Sequence, residues 1–294
     1  MTRFATFTAV ALLTVFRLAG YFNEPRLSDA DIHAIGGEPN RVAPAAVDRG
    51  GVRLVSWNIE RGVQFQKIAA ALTDLEPDVV LLQEVDRYCN RSGNRDIARE
   101  LGEALGMNWV TAGEFQEIGE ARGTPAAITG QAILSRDAIA EPAVVVFGEQ
   151  VTLRWRLNPL QPRRGGRIAL RAQTAGLVVY SVHLESGGDD RLRTAQLADV
   201  LADQARLPGE RTVIAGDFNN QVTLQSFMFR GLASNGFADA LTSATERRTS
   251  INHQHPIDWM FVKGAAVQAG RVARVEETSD HYPVVATIAV PHPR

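Results

Sequence analysis

Only one cysteine, Cys89, stands among the 294 residues, so no disulfide can close within the chain and a thiolate metal cluster is excluded. A surplus of one charge is missing too. The 31 Lys plus Arg stand against 33 Asp plus Glu, a formal net charge of −2. No global field holds a polyanion, and any anionic ligand has to be gripped locally. No repeat runs through the sequence, which favours one large domain over a modular array. Phe4 to Phe16 form an uncharged, mostly apolar run of 13 residues behind Arg3, short of the roughly 20 a bilayer span needs. It suits the apolar core of a signal peptide better. Arg17 ends the run, and no small-x-small cleavage site follows closely. Residues 1–22 are therefore expected to be an export signal or a membrane-proximal anchor, with a cytoplasmic extension as the alternative.

What is present is ordinary globular composition, 45% apolar and 22% charged, which excludes a disordered or collagen-like reading for most of the chain. Residues 23–50, rich in Asp, Pro, Gly and Arg without periodicity, read as a linker, and 51–294 as the domain. From Val52 short β-branched runs alternate with amphipathic stretches, the pattern of a layered α/β domain. Strands are expected at 52–57, 79–82, 132–134, 143–147, 168–172, 177–184, 212–215, 257–262 and 283–290. Ile68, Leu72 and Leu75 share one helical face that Pro77 ends; Asn94 is placed to cap a second helix through Ile97, Leu101 and Leu105; a third covers 191–205.

Polar residues recur where these strands stop. Asn58, Glu84, Asp217, Asn219 and Asp280 are oxygen donors of the kind a hard cation takes, Mg²⁺ first and Mn²⁺ as its substitute. Singly each has a plain structural explanation, a turn-capping Asn or the first solvated carboxylate after an apolar run. Ser181 and His183 share one face of a strand, opposite Val182 and Leu184. Asp258 lies in an otherwise apolar strand and needs a partner; an imidazole N–H is a natural one, and His281 is the proposed match. Six arginines, Arg154, Arg156, Arg163, Arg164, Arg167 and Arg171, crowd one segment. Gly165-Gly166 would let a flexible loop carry Arg163, Arg164 or Arg167 over a phosphate, whose oxygens suit guanidinium forks.

Taken in order, Ser56-Trp57-Asn58-Ile59, Leu81 to Asp86, Ala132 to Arg136, Ser181-Val182-His183-Leu184, Gly216-Asp217-Phe218-Asn219, Ile257-Asp258-Trp259 and Ser279 to Val284 resemble the endonuclease/exonuclease/phosphatase superfamily. The match spans about Val52 to Val290. It implies a four-layer α/β sandwich, two packed mixed sheets flanked by helices, with the site at one end. It also implies roles: Glu84 as principal metal ligand assisted by Asn58 and Asp280, and Asp217 as the base on the attacking water. Asn219 would position water or phosphate, His183 and His281 would donate to phosphoryl oxygens, and Asp258 would hold His281. Arg164 and Arg167 are the expected substrate contacts.

Some positions depart from the pattern. Glu60 replaces an Asp found in nucleases of the exonuclease III type, Gln131 stands where Asn is frequent, and the Tyr-containing loop of abasic-site nucleases has no counterpart. The expected activity is a metal-dependent phosphodiesterase, acting on nucleic acid or, alternatively, on a phospholipid or other small phosphoester as sphingomyelinases and inositol phosphatases do. An inactive binding module would have damaged metal or base positions. All eight are intact, and no protein partner is implied.

Overall fold

A computed structural model describes residues 24–43, 50–151, 161–207, 209–220 and 227–290. The signal or anchor reading of residues 1–22 lies outside them, as do Arg154 and Arg156. Among the described residues no helix is long and apolar enough to cross a membrane.

Two mixed sheets face each other. The first runs, edge to edge, β1 (Gly36–Glu38), β4 (Asn108–Glu117), β5 (Ile128–Ser135), β3 (Val79–Arg87), β2 (Val52–Asn58), β14 (Val284–Ala289) and β13 (Ala266–Val272), with β7 (Arg163–Gly165) also paired to β4. The second runs β11 (Ala238–Asp239), β12 (Asp258–Lys263), β10 (Thr212–Asp217), β9 (Leu177–His183), β8 (Ile168–Thr174) and β6 (Ala140–Val146). Alternation along each strand sorts side chains into layers. Leu54, Leu81, Val110, Ile133, Leu170, Val179, Val213 and Met260 fill the space between the sheets. Their neighbours in sequence point outward. Val55, Trp57, Val80 and Leu82 meet α2 (Phe65–Leu75) and α3 (Ile97–Leu105), which present Ile68, Leu72, Ile97 and Leu101. Tyr180, Val182, Ile214 and Phe261 meet α4 (Asp190–Gln204) and α5 (Phe227–Ser234) through Leu197, Val200 and Phe229.

The result is the four-layer sandwich, helix, sheet, sheet, helix. Truncating a fully buried side chain of its centre, such as Leu81→Ala, costs about 2–5 kcal/mol.

Two expectations need correction. Residues 24–43 are not a bare linker, because the short helix α1 (Asp29–Ile32) buries Ile32 and β1 extends the first sheet against β4. Apolar Ile32 packs although its neighbours are too polar to show a pattern. The cap of α3 is Asp96, whose side chain accepts from Arg99 N, while Asn94 takes a left-handed turn conformation two residues earlier. Both residue types suit both jobs, so composition does not separate them.

Candidate active site

Parallel pairing brings the strand ends together. β2 runs parallel to β3 and β9 parallel to β10, so Asn58, Glu84, His183 and Asp217 all emerge at one rim. β12 and β14 run against their neighbours and begin there, which delivers Asp258 and the preceding Asp280-His281 to the same place. Asp217 is one residue after Gly216, where a Cβ would sit 1.8 Å from Val182 O; only glycine lets β10 approach β9 this closely. Ser279 Oγ donates to Asn58 O at 2.7 Å, and Trp57 Nε1 to His281 O at 2.9 Å. These two bonds stitch the Ser-Asp-His turn to the end of β2.

The backbone is strained here. Glu84 has φ 51 at a bulge where two residues of β3 face one of β5, and Glu60, Arg61 and Asn219 have φ 47, 66 and 49. Such conformations persist only where surrounding contacts fix them, and they gather at functional sites. The bulge turns Glu84 toward the other carboxylates rather than along the pleat.

Asp217 is the hub. Its Oδ2 accepts from Asn58 Nδ2 at 3.2 Å and lies 3.4 Å from His183 Nε2 and 3.8 Å from His281 Nε2, while Oδ1 accepts from Asn219 N at 2.8 Å. Burial pushes its carboxyl up to about 7, with His281 opposing the rise and Asp258 adding to it. A carboxylate near neutrality is suited to taking a proton from water.

The two imidazoles have opposite surroundings. His281 Nδ1 meets both oxygens of Asp258, at 2.8 and 3.1 Å. Burial disfavours its charge, yet Asp258 and then Asp217 outweigh that and lift it to about 10. It is an imidazolium, with Nε2–H turned to Asp217. His183 Nδ1 instead accepts from Arg167 Nη1 at 2.8 Å, since a guanidinium can only donate. Burial first, and then Arg167 and His281, hold it well below the usual histidine value. It is neutral, its proton on Nε2 and directed into the site.

Arg167 is itself held by Glu114, Nη1 to Oε2 at 2.7 Å, and Glu114 Oε1 accepts from Gln131 Nε2 at 3.0 Å. Gln131, Glu114, Arg167 and His183 thus form a continuous buried chain across β5, β4 and β9.

The residues expected to hold a cation lie on the side of Asn58. Asn58 Nδ2 is 3.5 Å from Glu84 Oε1, Asn58 Oδ1 accepts from Glu60 N at 3.1 Å, and Glu60 Oε2 accepts from Asp280 N at 3.2 Å. Three carboxylates, Glu60, Glu84 and Asp280, crowd this corner. Burial and then Asp280 raise the carboxyl of Glu60, with Glu84 adding to the rise. Burial also works against charge on Glu84, but Arg61, Arg167 and His281 outweigh it and keep the group ionised. Crowded oxygen donors with mutually unfavourable charges fit a hard divalent cation. The acidic cluster of Asp217, Asp258 and His281, whose ligand atoms lie within 4.8 Å of one another, is a weaker fit. Both Asp258 oxygens are already committed to His281.

A family model described as the endonuclease/exonuclease/phosphatase family matches residues 55–281, most of the chain. The chain belongs to that family. Solved structures of the same fold include the human Nocturnin catalytic domain with bound sulfate anion, TM-score 0.64 at 16% identity, covering 90% of this chain and 99% of that one. A mannosyl-6-phosphatase from Bacteroides thetaiotaomicron gives TM-score 0.60 at 19% identity, over 82% of this chain and all, 100%, of the other. A 3'-5' exonuclease from Neisseria meningitidis gives 0.59 at 20%, over 81% and 100%. No curated protein matches the chain.

Of the residues expected from sequence, Asn58, Glu84, His183, Asp217, Asn219, Asp258, Asp280 and His281 are brought together. The two arginines are not placed as expected. Arg167 is not on a flexible loop over a substrate: it is 5% exposed, enters β8 and binds Glu114 and His183. Arg164 lies mid-strand in β7 opposite Gln116, with no hydrogen bond or ion pair to the other site residues among those described. Gly165 and Gly166 serve close packing, their Cβ positions meeting Glu114 O and the Gln150 side chain. Glu114, Thr249 and Ser279 were not assigned roles from sequence. Thr249 Oγ1 accepts from the backbone N of both Ile257 and Asp258, at 3.0 Å each, fixing where β12 begins. Glu114 had a usable signal, a carboxylate inside an apolar strand, the reasoning that singled out Asp258.

Proposed function

We propose that the protein is a metal-dependent phosphodiesterase that hydrolyses a phosphate ester by in-line attack of a water activated by Asp217. The observation that carries this reading is the Asp217 carboxylate, buried and tuned toward neutrality, with an Nε2–H donor on either side of it. Mg²⁺, with Mn²⁺ as substitute, held by Glu84, Asn58 and Asp280, would supply Lewis acidity to the phosphoryl group and the departing oxygen. Asp217 orients the water and takes its proton. Neutral His183 and cationic His281 donate to the non-bridging oxygens as charge builds, and the fixed dipoles need no reorganisation. Asn219 N holds the Oδ1 of Asp217, leaving Oδ2 to face the reacting atoms.

The expected substrate is a nucleic acid or a small phosphoester. Exonuclease and mannosyl-6-phosphatase names among structures of this fold span both classes. A polynucleotide needs a basic groove beyond the site. Arg167 is spent on Glu114 and Arg171 lies 3.5 Å from Asp203, so two of the expected cations face inward. That favours a compact phosphodiester over a long duplex.

Hydrolysis of bis-p-nitrophenyl phosphate with Mg²⁺ or Mn²⁺, and its loss on adding chelator, is the direct test. Metal-independent turnover would refute the cation role. A panel of plasmid DNA, single-stranded oligonucleotides, RNA, sphingomyelin and phosphoinositides then separates the substrate classes; preferred cleavage of duplex DNA would overturn the compact-substrate reading.

A further inference from the structure

Arg163 begins β7 and packs its guanidinium on the ring of Phe115, 4.1 Å from the centroid. Arg167 flanks that ring at 5.3 Å and reaches His183 with its Nη1. Arg163 is therefore next to the donor side of the site, separated from His183 by one aromatic ring and one guanidinium.

Its side chain has no counter-ion within ion-pair distance among the described residues. Three carboxylates act on it through space, Glu117, Glu185 and Glu114. Glu114 binds Arg167 and Gln131. Glu117 accepts from Gln161 at 3.2 Å and lies 3.3 Å from Arg91, which is also bidentate to Asp86. Glu185 comes no nearer than a through-space interaction, and the Arg163 side chain forms no ion pair or hydrogen bond among the described residues. Burial and the neighbouring Arg167 push its pKa below the usual arginine range. A half-buried guanidinium that keeps its charge without a partner is unfavourable on its own, and an incoming anion relieves that cost. A guanidinium held over an aromatic face keeps its N–H fork available in its own plane for a planar or tetrahedral oxyanion.

Its place along the sheet sets the span. From β3, which carries Glu84, the path to β7 passes β5 and β4, three strand spacings or roughly 14 Å at about 4.8 Å each. The Arg163 side chain lies over Phe115, on the side of the site away from Asn58 and Glu84.

We propose that Arg163 binds a second phosphoryl group of the substrate, so that the preferred ester carries two phosphates rather than one. This rests on the phosphodiesterase reading above. The chemistry is shared by a phosphorylated nucleotide and a phosphorylated sugar.

Calorimetric titration of the full chain with Mg²⁺ tests it without turnover. Thymidine 3',5'-bisphosphate is expected to bind at least about tenfold tighter than thymidine 5'-monophosphate, the gain of a charge-assisted pair. In Arg163→Gln that ratio should fall to near one. A ratio near one in both the nucleotide and the sugar arm of the wild-type protein, or an unchanged ratio in the variant, overturns the inference; the wild-type measurement stands even if the variant does not fold. Glucose 1,6-bisphosphate against glucose 6-phosphate forms the second arm, and the larger ratio tells nucleotide from sugar. Absence of bis-p-nitrophenyl phosphate hydrolysis would defeat the phosphodiesterase reading alone, since the binding ratio is read independently.

Discussion

His183 and His281 flank the same Asp217 oxygen, at 3.4 and 3.8 Å, yet the fold charges one and leaves the other neutral. His281 is backed by a carboxylate and is a cation; His183 is backed by a guanidinium and is neutral. Both present Nε2–H to the site. The lesson is that a donor can be fixed in two ways: a negative partner charges the ring, whereas a positive partner occupies the other nitrogen and selects the tautomer. One imidazolium and one imidazole place a single imidazole-borne positive charge beside Asp217.

The largest effect is expected at the residue between the two rings. Asp217→Asn keeps the shape and removes the base, so turnover of bis-p-nitrophenyl phosphate should fall by a hundredfold to ten-thousandfold or more, on the order expected for general-base loss. The melting temperature should not fall, because a raised pKa means that burial works against this carboxylate. Retention of most activity would remove Asp217 from its role.

Asp258→Asn breaks the cationic half of the comparison. Rate should drop by about a hundredfold, and the pH profile should change with it. In the wild-type protein the rate is expected to rise as Asp217 loses its proton through about pH 7, and to fall as His281 loses its own through about pH 10. A bound cation moves the acid limb down. Without the Asp258 charge the alkaline limb should shift toward the ordinary value of 6.5. An unmoved alkaline limb would disprove the pairing. Stability follows the same sign: a raised histidine stabilises the fold fully below pH 6.5 and loses that contribution as pH climbs through about 10. The destabilisation by Asp258→Asn should shrink across that window.

Glu114→Gln tests the neutral half and is expected to have the smallest kinetic effect, about tenfold to a hundredfold, the range of an outer partner. Its larger consequence is structural. Arg167 would be buried without its counter-charge, at a cost of about 3–5 kcal/mol in chemical denaturation. Nitrogen NMR of His183 should show loss of the single Nε2–H tautomer; an unchanged spectrum would show that Arg167 needs no support from Glu114.

Much of this was legible along the chain. Strand positions from Val52 onward follow from alternation and β-branching, and the eight clustered residues fall where apolar runs stop. The Asp258 to His281 pair was readable from a single premise, that a carboxylate in an apolar strand requires a partner. β4, β13 and α5 were not anticipated. β4 carries Gly113, Glu114, Gln116 and Glu117 inside its span, and buried polar residues hide a strand from any hydropathy pattern. The arginine segment misled for the same reason: charge and paired glycines look alike in a solvated loop and in a buried ion pair.

Sequence alone determined the layered α/β class and the polar residues where strands stop, because these rest on local periodicity and on residue chemistry, and the resemblance of its ordered motifs carried the family. Tertiary structure decided what each charge does. Arg167 became the partner of His183, Glu114 its anchor, and Arg163, among the described residues, a guanidinium on Phe115 without an ion pair, since pairing joins residues up to 53 apart that only packing brings within 3 Å. Protonation went the same way. Nothing in the sequence tells one histidine from the other until the group behind each ring is known.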